Sequence, residues 1–362
     1  MAFIIATIFI IIIVQAWSYK YALTGIDYTS KSSNRLVEED EAFEFITIVT
    51  NHSSRFVPYL RIDEVFPQNV HLDQKDVPLD GIYVKEQTYT SSAYLMPRSQ
   101  LERRNNISVA NRGCYVFRGA YLSGGDFLGL NEQAEFFNTY NEVVVYPKAI
   151  KSPKLLDMLG GFLGDVSVRR FIQEDPVLIA GIREYTGSEP FKQLSWKHTA
   201  RLNQLMVKQF DYTLEPKITV LVDSSVKDKI GEYAEHIETC LSLASGVCHY
   251  LEQTKITYDF ICNAFLRLGA KTDNYLPEGL GHKHLDTVLE WLGRSTYYPS
   301  ETFSHTLERL LTKQEKNRST ILIIPQKNAE KSALIKRFSH VSGSSILTLY
   351  GEDFYVAEAN PS

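Results

Sequence analysis

The chain is poor in several of the things that announce a function. It has four cysteines, Cys114, Cys240, Cys248 and Cys262, and no C-x-x-C pair, which excludes a zinc ribbon and a dithiol redox motif. Cys240 and Cys248 fall on one predicted helix, about 12 Å apart at the helical rise, too far to bridge. Reduced, buried cysteines in a reducing compartment are the expectation. Basic residues do not outnumber acidic ones (38 against 43), so a broad nucleic-acid surface is not expected. Long low-complexity tracts are missing, and the apolar and charged fractions are those of folded protein. Three Asn-x-Ser triplets, at Asn51, Asn106 and Asn317, are read as chance matches rather than glycosylation sites.

What is present suffices for two cores, because 362 residues exceed what one ordinary domain uses. The chain opens on an unbroken apolar run, Ala2 to Trp17, followed by Ser-Tyr-Lys-Tyr. No Lys or Arg precedes that run, which disfavours a cleaved secretory signal even though Val14-Gln-Ala16 would suit a cleavage site. With Lys20 on its C-terminal side, residues 1–20 are expected to form a single-pass membrane anchor with the following domains in the cytoplasm.

Residues 21–150 read as an antiparallel β-sandwich. AFEFITIVTN (42–51) alternates and then runs apolar, and further runs fall at 56–62, 107–109, 114–117 and 142–146. Residues 64–105 read as long polar loops with one strand at most, and Asp126 as the cap of a turn in which Gly129 takes a positive φ. Residues 151–216 read as a linker and a signature segment, with a short helix at 154–159, the pair Gly160-Gly161 and the acidic pair Glu174-Asp175 in a mobile connector. From 217 to 362 strands and helices alternate. The strands are expected at 217–223, 256–264 (paired with 265–268), 320–325 and 346–350, and the helices at 228–253, through Leu285–Leu292, at 302–313 and at 329–338. That alternation implies a mainly parallel sheet covered on both faces.

Two segments carry candidate chemistry. In GIREYTGSEPFKQLSWKHTAR (181–201), Arg183 and Arg201 would bind a carboxylate or phosphate, Trp196 would stack, and Glu184, Tyr185 and Lys197 would complete a partner-binding surface. His198 would titrate near neutrality. The competing reading is an Arg–Glu clasp with a buried Trp196 between two domains. No nucleophile–base pair or oxyanion device is recognisable at these spacings, so no enzyme is expected. In KITVLVDSS (217–225), Asp223 and Ser225 stand at the carboxyl end of a strand, where α/β sheets bind ligands. His282 and His284, beside a Gly-rich loop, lack an obvious third ligand for zinc.

These two segments, together with RGCYVFRGAYLSGGDFLGL (112–130) and VVVYPKAI (143–150), resemble the family called domain of unknown function 58. The resemblance implies an apolar N-terminal helix, a β-sandwich and an α/β von Willebrand factor A-like domain in series. It further implies a membrane-anchored, non-enzymatic scaffold or assembly factor for membrane or envelope complexes, acting with a MoxR-type AAA+ ATPase. The alternative is a divalent-metal adhesion module that binds a protein carboxylate. In von Willebrand factor A domains a D-x-S-x-S loop helps hold Mg²⁺. Asp223 and Ser225 match it, whereas Lys227 stands at the second Ser and would repel a cation. The family's Gly-Asp turn reads Gly187-Ser188 here, which removes a carboxylate.

Overall fold

The computed structural model describes residues 2–72, 86–126, 130–171, 179–187, 189–210, 217–225, 230–267, 274–313 and 318–354. The chain divides into two compact units. The first comprises residues 1–148 with 267–269 and 289–295, and the second comprises 149–266, 270–288 and 296–362.

The apolar run forms helix α1 (Ala2–Lys20), with its large apolar side chains from Ile4 to Trp17 exposed. Among the described residues, no helix is long and apolar enough to cross a membrane, so the single-pass expectation is not met. The physical reason is length. At the helical rise the apolar part, Ala2 to Trp17, reaches about 24 Å, against about 30 Å of hydrocarbon in a bilayer.

Nine strands follow: β1 (Ile26–Ser32), β2 (Leu36–Glu38), β3 (Phe43–Asn51), β4 (Val57–Pro67), β5 (Val70–Leu72), β6 (Glu86–Leu95), β7 (Gln100–Val109), β8 (Gly113–Gly125) and β9 (Glu132–Tyr146). One sheet runs β1-β3-β7-β5 and the other β2-β9-β8-β4-β6, with every pairing antiparallel except β2 with β9. β3 alternates buried and half-buried side chains along its whole length, the period-two signature of a strand covered on one face. The buried sides of the two sheets meet in a sandwich core. Phe43, Phe45, Ile107 and Val109 from one sheet pack with Phe66, Phe117, Val143 and Val145 from the other. Residues 64–105 are thus mostly strand among the described positions, contrary to the loop reading. Polar residues such as Glu102, Arg104 and Asn106 occupy the exposed face of β7, and Arg103 and Asn105 interrupt the apolar set on its other face, which hides the alternation. A bulge between Phe117 and Gly119 bends β8. Gly119 has φ +134, and a Cβ there would lie 2.0 Å from the Phe137 carbonyl, so only glycine fits.

A carboxyl is enclosed in this sandwich. Glu64 is buried, and its Oε1 accepts from the Tyr28 hydroxyl at 3.0 Å and from Thr47, while Oε2 has no hydrogen-bond partner among the described residues. Burial raises its carboxyl pKa, and the two hydroxyls oppose that rise only in part. A carboxyl with a raised folded-state pKa contributes stability that is lost as pH climbs from the unfolded value through the folded one. Glu64→Gln is therefore expected to raise the thermal midpoint at pH 7 by a few degrees, for about 1 kcal/mol, and to leave it unchanged near pH 4. Scanning calorimetry at the two pH values checks this; an equal shift at both would exclude the titration as its cause.

The second unit begins with helix α2 (Pro153–Phe171), three times the predicted helix and in place of a mobile connector. Ser152 caps it, accepting the Leu155 amide at 3.2 Å, and Pro153 opens it. Leu155, Leu159 and Val166 bury one face, so Gly160, Gly161 and Gly164 are carried within the helix. Glu174 and Asp175 lie outside the described residues. Strand β10 (Ile179–Glu184), helix α3 (Trp196–Leu202) and strand β11 (Met206–Phe210) make up the signature segment.

The α/β part comprises β12 (Lys217–Val222), α4 (Ile230–Gln253), β13 (Thr257–Cys262), β14 (Ala264–Leu266), β15 (Tyr275–Gly279), α5 (His282–Arg294), β16 (Ser295–Pro299), α6 (Phe303–Lys313), β17 (Ser319–Ile324), α7 (Ala329–Ser342) and β18 (Ile346–Tyr350). Its main sheet is mixed, in the order β15-β13-β12-β17-β18. Four strands run parallel and β15 runs antiparallel at the edge. Two details differ from the sequence reading. β15 forms where a Gly-rich loop is expected, and the strand after β13, β14, pairs with β16 rather than back onto 256–264. β12 and β17 are buried along almost their whole length, as central parallel strands covered on both faces require. Leu221, Ile261, Leu322 and Ile324 pack beneath α6 and α7 through Phe303, Leu307 and Phe338.

Candidate functional site

The strand order reverses direction between β12 and β17, and the carboxyl ends of such neighbours form the ligand crevice of open α/β sheets. Asp223 follows β12 at that point and is fully buried. Its Oδ1 accepts from the Ser225 amide at 3.0 Å, the Ser225 hydroxyl at 2.6 Å and the Asn263 side-chain amide at 2.6 Å. Its Oδ2 takes the Lys331 ammonium at 2.5 Å. The same ammonium donates to the Ser225 carbonyl at 2.5 Å and lies 5.6 Å from the centre of the Phe303 ring. Asn263, just beyond β13, also accepts from the Ser224 amide and hydroxyl at 2.7 and 3.0 Å.

The arrangement is a closed polar cluster with a cation already inside it. Lys331 lies in the first turn of α7, where the helix dipole disfavours a positive charge. Asp223 is the local group that offsets this. Lys227, the cation weighed in the sequence, lies outside the described residues, and Lys331 is the ammonium found on Asp223. Neither Lys331 nor Asn263 was foreseen, since both reach Asp223 only through the strand order. Among the described residues, no group of three or more His, Cys, Asp or Glu side chains could hold a metal ion. His282 is exposed, while His284 packs its ring edge-on against Tyr258 at 4.7 Å. Cys240, Cys248 and Cys262 are buried free thiols, and burial raises the pKa of Cys240 and Cys248; Cys114 is only half-buried.

The signature segment is a second, separate constellation in the same unit. β10 and β11 pair antiparallel, with Arg183 opposite Val207. Arg183 bonds Glu189 at 2.5 Å, and Glu189 also accepts the Thr186 hydroxyl at 2.7 Å and the Thr186 amide at 3.2 Å. The Thr186 hydroxyl and, after it, Arg183 hold the Glu189 carboxyl down to about 2 against the opposing effect of desolvation. A carboxylate is therefore present at this turn on Glu189; Ser188 lies outside the described residues. Tyr185 is half-buried and stacks on Phe191 at 6.2 Å, and Glu184 is exposed. Ser195 precedes α3 and its hydroxyl meets His198 Nδ1 at 3.0 Å, while the Thr199 hydroxyl accepts the Met206 amide at 3.0 Å.

Trp196 corrects the clasp reading. It is 66% exposed, so it is not a buried wedge. Phe191, Leu202 and Leu205 are exposed with it, and Lys197 and Arg201, one turn apart on α3, have no acidic partner among the described residues.

The chain is 28% identical over 234 residues to the "Uncharacterized protein YeaD" of Bacillus subtilis (strain 168), an overlap of 65% of this chain and 53% of that one. The chain thus spans about half the length of this curated relative. Among solved structures, it is similar to a cohesin module of a Clostridium perfringens family 33 glycoside hydrolase (17% identity, 34% of this chain and 99% of that one, TM-score 0.27). It is also similar to the CARDB domain of a Pyrococcus furiosus protein (15% identity, 33% and 93%, TM-score 0.20). Residues 181–330, which hold Arg183, Trp196, Asp223 and Asn263, match the family described as "Protein of unknown function DUF58".

Proposed function

We propose that this protein is a non-enzymatic, membrane-associated scaffold or assembly factor that captures a partner protein on the surface of α3. The observation that carries this reading is the exposure of Trp196, Phe191, Leu202 and Leu205 beside Lys197 and Arg201, which have no acidic partner among the described residues. Aromatic residues and Arg are the side chains that dominate protein–protein interfaces, and a contiguous apolar patch with a basic rim is costly to leave in water. The partner expected from the family resemblance is a MoxR-type AAA+ ATPase, with other membrane or envelope proteins as its clients. Membrane association is supported by α1, whose large apolar side chains are exposed on all sides and need apolar surroundings. A von Willebrand factor A-like reading of the α/β part is supported by the strand order and by Asp223 at the end of the first strand. Its metal is replaced by the Lys331 ammonium.

The test is direct binding between the detergent-solubilised full chain and the purified MoxR-type ATPase of the same cell, by biolayer interferometry in Mg²⁺ and in EDTA. Trp196→Ala is expected to weaken binding by about 30-fold, for roughly 2 kcal/mol at an interface hot spot, equally in both buffers. Binding that survives Trp196→Ala and Arg201→Ala intact but vanishes in EDTA would replace this reading with metal-dependent adhesion.

A further inference from the structure

We propose that the end of the sandwich beside α1 is a phospholipid headgroup site in which Arg55 contacts the phosphate of an anionic lipid. The proposal rests on the membrane association argued above and adds a ligand and a residue to it.

The geometry has three parts. First, the turn that follows α1 is fixed to the sandwich: Ala22 and Leu23 are buried, and a Cβ at Gly124 of β8 would lie 2.9 Å from Ala22 Cβ. The helix therefore leaves the domain from a defined place. Second, an open groove lies there, between Val14, Trp17 and Tyr21 on one side and Arg55, Phe56 and Pro58 on the other. The Arg55 guanidinium stands 4.6 Å from the Tyr21 ring centre and 5.7 Å from that of Trp17. It has no acidic partner among the described residues. The buried carboxylate beside Gly125, Asp126, is occupied by the Leu130 and Asn131 amides and the Asn131 side chain at 2.8 to 3.0 Å. Third, the neighbouring loop extends the same rim. Asn51 donates to the Arg55 and Met96 carbonyls at 2.8 and 3.0 Å, and the Arg98 amide bonds the Ser53 carbonyl at 3.0 Å. That tie places Phe56, Tyr94 and Met96, all exposed, around Arg55, and Phe56 stacks on Tyr94 at 6.3 Å.

Each part suits the membrane–water boundary. Aromatic rings favour the headgroup level, and Lys20, 5.6 Å from the Tyr21 ring centre, lies at the same height on the helix. Contact with the two rings holds the guanidinium in place without neutralising it, leaving N–H groups for a phosphate. Lys20, Arg55 and the exposed Arg98 make the rim positive, which commits it to an anionic surface rather than to a second apolar protein.

The experiment is co-flotation of the full chain with vesicles of phosphatidylcholine alone and of phosphatidylcholine with phosphatidylglycerol, for wild type, Arg55→Gln and Arg98→Gln. Wild type is expected on both vesicles, with a preference for the anionic ones that fades at high salt. Arg55→Gln is expected to lose about fivefold in partitioning to the anionic vesicles, for about 1 kcal/mol per basic residue, and nothing on phosphatidylcholine. An unaltered anionic preference in both variants would overturn the headgroup site while leaving membrane association standing. Wild type that floats with neither vesicle would overturn the association itself. Inorganic phosphate, exchanged for chloride at constant ionic strength, is expected not to compete; competition would make this a free-phosphate site instead.

Discussion

Lys331→Met is expected to destabilise the second unit by about 3–5 kcal/mol, the usual cost of removing one partner from a buried ion pair. Asp223 is fully buried and its Lys331 contact is its only charged one among the described residues. Without it, two donors from Ser225 and one from Asn263 remain for a full negative charge in a low-dielectric site. Met keeps the apolar stem of Lys beside Phe303, so the change removes charge rather than packing. The thermal midpoint of that unit should fall by on the order of 10 °C, read by differential scanning calorimetry. Removing both charges, in Asp223→Asn with Lys331→Met, should restore most of the loss. The single variant also tests these oxygens as a cation site. Its cluster keeps the oxygens of Asp223, Ser224 and Ser225 and loses the cation, so millimolar Mg²⁺ is expected to raise the midpoint of Lys331→Met and not that of wild type. No Mg²⁺ effect on the variant would mean that these donors suit an ammonium alone.

The same residues show what could be read from the sequence. Asp223 was legible because β12 is a continuous apolar run and its end is marked by the first polar residues after it. Asn263 and Lys331 were not, since they follow other strands, 40 and 108 residues on, and only the pairing of β12 with β13 and β17 brings them to Asp223. β18 was legible to the residue because its run is bounded by Gly-rich and polar turns. β6 and β7 were missed because their outer faces carry Thr, Ser, Arg and Asn at every second position, which looks like loop when the buried set is small. α2 was cut short at 159 because glycine is a poor helix former by propensity, and burial of Leu155, Leu159 and Val166 overrides it. In the signature, the residue types of an interface were visible, but a helix of about two turns has too little periodicity to say which side of it is buried. Hence Trp196 was weighed as a wedge and is found exposed.

Arg294→Met is expected to cost about 3 kcal/mol, and this second buried charge had no sequence signal at all. Arg294 is 5% exposed and forks onto Glu142 of β9, with Nη1 to Oε1 at 2.8 Å and Nη2 to Oε2 at 3.0 Å, while Nε donates to Glu290 at 3.0 Å. A bidentate guanidinium–carboxylate pair is the strongest geometry available to these groups. Arg35 also reaches Glu142, at 3.6 Å, but its side chain is 70% exposed and it offsets little of the loss, which sets the estimate at the low end for a broken buried pair. The sign of the pH dependence follows from Glu142. The Arg294 hydrogen bonds hold its carboxyl below the ordinary value of 4.5 against the opposing desolvation, so the stability it contributes is present above that value and lost as pH falls through the folded one. The deficit of Arg294→Met should therefore be full at pH 7 and shrink below pH 4, where wild type has lost the same contribution. Urea unfolding at the two pH values measures it. A deficit that stays constant with pH would assign the loss to packing of the Arg stem against β9 rather than to the ion pair. Salt provides the independent check: a buried pair is screened far less than a surface one, so the pH 7 deficit should persist in 0.5 M NaCl.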